Sequence, residues 1–335
     1  MTTNSDPIRK KVSSWQDTFF RYFTGACASV IVILVIMIGY LLLNGAAPAF
    51  KQYGFGFIFS NDWNPPKELF GAASSIYGTL LSSLIAMLLA VPLSLVIALF
   101  LVELAHPWVS KPLGAAIELL AAIPSIIFGM WGIFVFAPFL SKYIQPFLHK
   151  YLQKGMIDPV AKGITGIFMD EPVTLAIFDG PKNGLGMFTA GIILAIMILP
   201  FISAVVRDVI TMVPNVVKES AYGLGATSWE VTSKVTFRYG LSGIIGGGLL
   251  GLGRAIGETM AVTYVIGNSH KLSLKLFQGS NTIASTLANE FAEAQDLMLS
   301  SLIYMAFLLF VITFVVQLVF QWWLKRVRRK TGIGL

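Results

Sequence analysis

The sequence predicts an all-α integral membrane protein of six transmembrane helices, from its composition, the length of its apolar runs and the placement of its charge. Of 335 residues, 56% are hydrophobic and 12% are charged, and the mean hydropathy is +0.75. A soluble chain has too little polar surface to cover that much apolar area. Most of it therefore belongs in lipid, where a helix satisfies its own backbone.

Six runs reach the roughly 20 helical residues that a hydrocarbon core of about 30 Å requires. They fall near 24–43, 75–102, 116–140, 185–206, 240–266 and 298–322. The first is too long for the apolar region of a signal peptide, so Ala47-Pro48-Ala49 is read as uncleaved despite its small residues. Pro92, Pro124 and Pro200 lie inside runs, where neighbouring helices re-satisfy the backbone groups that proline frees.

The net charge of +7 would suit nucleic acid, but its distribution excludes that reading. Basic residues gather at the ends of the apolar runs, which is how membrane orientation is set. Arg9, Lys10, Lys11 and Arg21 precede the first run, Lys111, Arg207, Lys218, Lys234 and Arg238 fall in alternate connections, and Lys325 to Lys330 follow the last. Both termini are expected in the cytoplasm, with Trp322 and Trp323 at interfacial depth. Cys27 is the lone cysteine, so no internal disulfide can form. His106, His149 and His270 have no metal-ligand spacing and read as loop or interfacial residues. The stretch 141–184 is expected to be a long outer loop, either a small exterior subdomain or a partner surface, with an acidic pair at Asp170 and Glu171.

Charge inside a span costs on the order of 2.5–3.5 kcal/mol per residue, so it needs a reason. The fifth run holds Arg254 and Glu258, four residues apart and so expected on one helix face, with Gly243, Gly247 and Gly251 continuing the stripe. Glycines at that spacing admit a close neighbour. Two readings stay open: the two charges neutralise each other and hold the bundle, or Arg254 lines the path of an oxyanion, which its planar fork suits.

Segment 207–239 reads as two short helices. Pro214 opens the first, Gly223 and Gly225 end it, and Thr227-Ser-Trp-Glu230 is a capping box for the second. Such an elbow is either a docking surface or an ordinary connector. Its Glu219-Ser220-Ala221, followed by three residues and Gly225, resembles the EAA loop of ABC importer permeases. Ser220 replaces the family's first alanine, and Arg238 stands where a proline is usual.

The segments Gly251-Leu-Gly-Arg-Ala-Ile-Gly-Glu-Thr-Met-Ala-Val262 and Glu118-Leu-Leu-Ala-Ala-Ile-Pro-Ser-Ile-Ile-Phe-Gly129 resemble the phosphate importer permeases of that family. Asn61-Asp-Trp-Asn-Pro65 and Ile76-Tyr-Gly-Thr-Leu80 resemble its C-type subunit. The resemblance implies a type I ABC importer permease fold in a bacterial inner membrane. It implies a substrate path at Arg254, Glu258, Thr259 and Ser125, and coupling to an ATPase through Glu219, Ser220, Ala221 and Gly225. The implied partners are a related A-type permease, an ATPase dimer and a periplasmic phosphate-binding protein.

The chain would be no enzyme. It has no GxxxxGK[ST] loop, so ATP and magnesium are expected on the partner ATPase, with no cofactor here. Residues 1–70 would form the tail, first helix and outer loop, 71–325 the permease domain and 326–335 a basic tail. Glu258 would neutralise Arg254 between cycles, or accept a hydrogen bond from the P–OH of phosphate. The alternatives are a sulfate or molybdate permease, an ion-coupled anion carrier and a channel.

Overall fold

The computed structural model describes residues 14–157 and 177–331, with side chains over 15–153 and 177–326. Among the described residues there is no β-strand, only an isolated bridge between Asn64 and Leu69. Ten helices carry the architecture: α1 (Ser14–Tyr53), α2 (Ala73–Leu99), α3 (Pro107–Ala121), α4 (Ser125–Trp131), α5 (Met187–Thr211), α6 (Asn215–Gly223), α7 (Phe237–Ile256), α8 (Met260–Val265), α9 (Ile283–Glu290) and α10 (Asp296–Thr331). A π-helical turn, Phe100–Leu104, closes α2, and alternating π and α turns extend α4 to Ile157.

Five helical stretches are long and apolar enough to cross a membrane: Trp15–Tyr53, Ala73–Leu104, Ser125–Gln153, Met187–Thr211 and Asp296–Arg326. The protein is therefore a multi-pass membrane protein. The fifth run of the sequence is absent from this set because its glycines and Arg254 dilute its hydropathy and because the helix breaks within it.

Two expected spans and one expected loop change. The third does not begin near residue 116. Pro124 lacks an N–H and pushes Ile123 off the helical region, so α3 ends and α4 starts one residue after the proline. Pro92 and Pro200 do lie inside helices, as expected. The stretch 141–184 is not all loop, since helix continues from α4 to Ile157; Asp170 and Glu171 lie outside the described residues. The fifth run, 240–266, is two helices separated at Gly257–Thr259.

The bundle is organised around α5, whose apolar stretch is largely buried, whereas none of the most apolar stretch of α1 is fully buried. Ile193, Leu194, Ile198 and Ile202 of α5 form a core with Ala86 and Ala90 of α2 and with Ala261 and Val265 of α8. The expected glycine stripe is realised against α5. A Cβ on Gly243, Gly247 or Gly251 would lie 2.6, 3.0 or 2.5 Å from Val209, Val205 or Ile202. The descending α5 numbers against ascending α7 numbers make the two helices antiparallel. A second core joins α1 to α10 through Ala46, Ala49, Leu302 and Met305.

At the end of the bundle away from α6, a polar network replaces apolar packing. The Asn281 amide donates to Ser75 Oγ (2.7 Å) and to His270 Nδ1 (2.9 Å), His270 Nε2 meets Glu290 (3.0 Å), and Trp63 Nε1 donates to Glu290 (2.7 Å). His270 is thus a partly buried junction, stacked 5.1 Å from the Trp63 ring. Asn281→Ala leaves its buried partners unsatisfied and is expected to destabilise the protein by about 2 kcal/mol, read as a fall in Tm of the detergent-solubilised chain.

Candidate functional site at the helix break and the elbow

Arg254 occupies the last turn of α7, where a cation complements the carbonyl end of the helix. It is exposed, and its guanidinium lies over the Phe201 ring at 5.8 Å from the centroid. The expected shared face with Glu258 does not form, because α7 ends at Ile256 and Gly257 caps it. Glu258 turns instead to the next helix, its Oε1 accepting from the Ala261 N–H at 3.2 Å. No ion pair joins Arg254 to Glu258 in this structure. A carboxylate is better placed at the N-terminal end of α8, where free N–H groups point, than along the side of α7.

Thr259 precedes α8 and accepts from Thr263 through its backbone oxygen. Ser125 opens α4 and is half-buried. The two helices are in close contact one turn further on, where a Cβ on Gly129 would lie 3.0 Å from Ala261 Cα and 3.2 Å from Met260 O. The start of α4 is thereby set alongside the break that carries Glu258 and Thr259. Beside the break, Gly253 and Gly257 also line a cavity of about 420 Å³ against α10, whose walls are otherwise mostly apolar apart from Thr313 and Gln317.

The elbow forms as its local signals require. Pro214 is extended (φ −61°, ψ 132°) and α6 follows directly. Gly225 has φ +85°, which a β-carbon would strain, and its N–H donates to Tyr222 O at 2.9 Å. Thr227 and Glu230 close the expected capping box, with the Glu230 N–H donating to Thr227 Oγ1 (3.4 Å) and the Thr227 N–H to Glu230 Oε2 (3.1 Å). Hydrogen bonds from Lys234 and from the Thr227 N–H hold the Glu230 carboxyl down at about 2.

Glu219 and Ser220 are exposed and Ala221 is half-buried. Ser220 Oγ bonds back to Val216 O (2.7 Å), while the Glu219 carboxylate makes no hydrogen bond or ion pair among the described residues. Around them Leu224 is 90%, Trp229 76%, Met212 73% and Val216 71% exposed. Exposed apolar side chains thus gather at this elbow.

Two ties were not legible in the sequence. Glu103, in the π turn that closes α2, accepts from Lys218 Nζ at 2.7 Å and from Thr236 Oγ1 at 3.3 Å. Glu118 of α3 pairs with Arg207 of α5. The only sequence signal for Glu103 is an acidic residue at the end of an apolar run, and its partners lie more than a hundred residues away.

A family profile described as the binding-protein-dependent transport system inner membrane component matches residues 69–329. The chain is 47% identical over 316 residues to the phosphate transport system permease protein PstC of Pasteurella multocida, covering 94% of each chain. It is 46% identical to PstC of Mesorhizobium japonicum, covering 94% of this chain and 92% of that one. A chain of a bacterial alginate ABC transporter, solved in complex with an alginate-bound periplasmic protein, aligns with a TM-score of 0.54 at 18% identity, over 96% of this chain and 99% of that one. That likeness concerns the fold. The chain belongs to the family of binding-protein-dependent transport system inner membrane components, in the branch that holds the PstC permeases.

Proposed function

We infer that this chain is a permease subunit of an ATP-driven inorganic phosphate importer and supplies half of the translocation path. The observation that carries the inference is Arg254: a guanidinium with no carboxylate partner among the described residues, exposed beside a helix break, in a chain similar to phosphate permeases over nearly its whole length. An exposed arginine at membrane depth is costly unless something polar meets it. The face it presents is where a related A-type permease would pack, enclosing the path between the two subunits.

In this reading α7 and α8 together make a sixth crossing, both termini lie in the cytoplasm, and the membrane is the bacterial inner membrane. The elbow then faces the cytoplasm and seats an ATPase dimer, which holds ATP and magnesium. The opposite end receives a periplasmic phosphate-binding protein. ATP binding closes the ATPase, the elbow moves, and the helices around Arg254 reorient outward. Arg254 holds phosphate weakly enough to release it, since a tight transit site blocks flux.

Ser125 and Thr259 line the same path. Glu258 keeps Oε2 free of any described partner while Oε1 caps α8, which leaves an acceptor for the P–OH that phosphate carries and sulfate lacks. Glu258→Gln is therefore expected to retain phosphate uptake and to admit sulfate, because lone-pair repulsion against sulfate is relieved. The measurement is uptake of labelled phosphate and of labelled sulfate into proteoliposomes holding the assembled importer. Wild-type vesicles that take up sulfate or molybdate as readily as phosphate would transfer the same machine to those anions. Sulfate exclusion unchanged in the variant would remove Glu258 from selectivity.

A further inference from the structure

We propose that Glu103 is a positioning residue that carries the displacement of the elbow into α2. The proposal rests on the importer reading and deepens it, because it names how a motion at the ATPase surface reaches the bundle.

Three observations carry it. First, one carboxylate oxygen holds both arms of the elbow: Lys218 lies on α6 before the Gly225 turn, and Thr236 lies in the π turn leading into α7. Second, the junction is withdrawn from water. The Lys218 and Glu103 side chains are 13% and 14% exposed, and Thr236 is fully buried, whereas the neighbouring Arg207–Glu118 pair has a carboxylate that is 56% exposed. A shielded pair is screened far less than a surface one, and removing one member strands the other. Third, Glu103 stands in a π turn, a local departure from α geometry that often marks functional sites. That turn closes α2, which packs along α5 and, through Ser94 Oγ on Leu199 O, is hydrogen-bonded to it.

The outward face of the elbow is apolar and exposed, while its inward face is tied to α2 by this carboxylate. A displacement of α6 therefore draws on Lys218, and through Glu103 on the end of α2, instead of being absorbed by the Gly225 turn. A purely structural role would require only that the elbow be held, and an ion pair is a poor device for that, since apolar replacements of buried pairs are often at least as stable. A charge pair does hold two elements in one relative placement.

The test uses the complete importer in proteoliposomes, with the binding protein inside or outside as orientation demands, and reads phosphate transported per ATP hydrolysed. In Glu103→Gln that ratio is expected to fall about tenfold, with hydrolysis changed by less than about twofold and the ATPase still co-purifying. Lys218→Gln is expected to reproduce the loss. Exchanging the two residues, Glu103→Lys with Lys218→Glu, is expected to restore the ratio to within about threefold, since the Thr236 hydroxyl serves as donor or acceptor alike.

Uptake and hydrolysis falling in proportion would overturn the proposal, as would an unchanged ratio or an exchange no better than the single variants. Failure of both single variants to yield a complex would make Glu103 a folding residue and equally overturn it. Wild-type vesicles without ATP-driven phosphate uptake would remove the importer reading itself, and this inference with it.

Discussion

Arg254→Gln is expected to lower the efficiency of ATP-driven phosphate uptake by roughly 10- to 100-fold while the complex still assembles. The magnitude follows from charge-assisted hydrogen bonds to an oxyanion, worth about 1.5–3 kcal/mol each, of which glutamine keeps only the neutral part. Assembly is expected to survive because the guanidinium is exposed and bridges no described carboxylate; it rests on the Phe201 ring. Arg254→Lys retains charge without the planar fork and should fall between the two. Uptake that ignores the substitution would reduce Arg254 to a charge at a helix end.

The second large effect is expected at the elbow. Gly225 has φ +85° with open space where a Cβ would project, so a side chain there is opposed by backbone strain alone. A β-branched residue in that conformation costs at least about 1–2 kcal/mol, enough to weaken capture of the ATPase roughly 5- to 30-fold in Gly225→Val. Asparagine tolerates the left-handed region, and Gly225→Asn is expected to stay within about threefold of wild type. Pull-down of the ATPase by the purified permease, with uptake measured in parallel, reads both. Equal loss in the two variants would show that the surface at Gly225, and not its conformation, is what the partner needs.

The elbow was legible because everything that builds it is local. Pro214, the left-handed Gly225 and the Thr227–Glu230 box each act within four residues, and each is found where the sequence puts it. The glycine stripe of α7 was legible for the same reason, as a repeat of four on one face, although the identity of its neighbour, α5, was not. What failed were judgements about where a helix stops inside an apolar run. Hydropathy is blind to the Pro124 break between α3 and α4, and to the Gly257 break that separates Arg254 from Glu258.

A helical projection of 240–266 put those two charges on one face. The structure gives one to the end of α7 and the other to the start of α8, a choice made by helix-end electrostatics that no periodicity contains. The ties that fix the elbow to the bundle, Glu103 to Lys218 and Glu118 to Arg207, join residues distant in sequence and became visible only in three dimensions. The same holds for His270, which lies in a loop as the sequence suggests but whose contacts with Asn281, Glu290 and Trp63 the sequence does not show.

Whether nucleotide drives this permease is settled most directly by labelled phosphate uptake into proteoliposomes that hold the chain with its A-type partner and ATPase. ATP would be sealed on the elbow side, the binding protein placed on the other, and ion gradients collapsed with ionophores. Uptake is expected to require both ATP and the binding protein and to persist without a gradient. Uptake that ignores ATP and stops when the gradient is collapsed would contradict the account, and would make the break at Arg254 and Glu258 the site of an ion-coupled carrier.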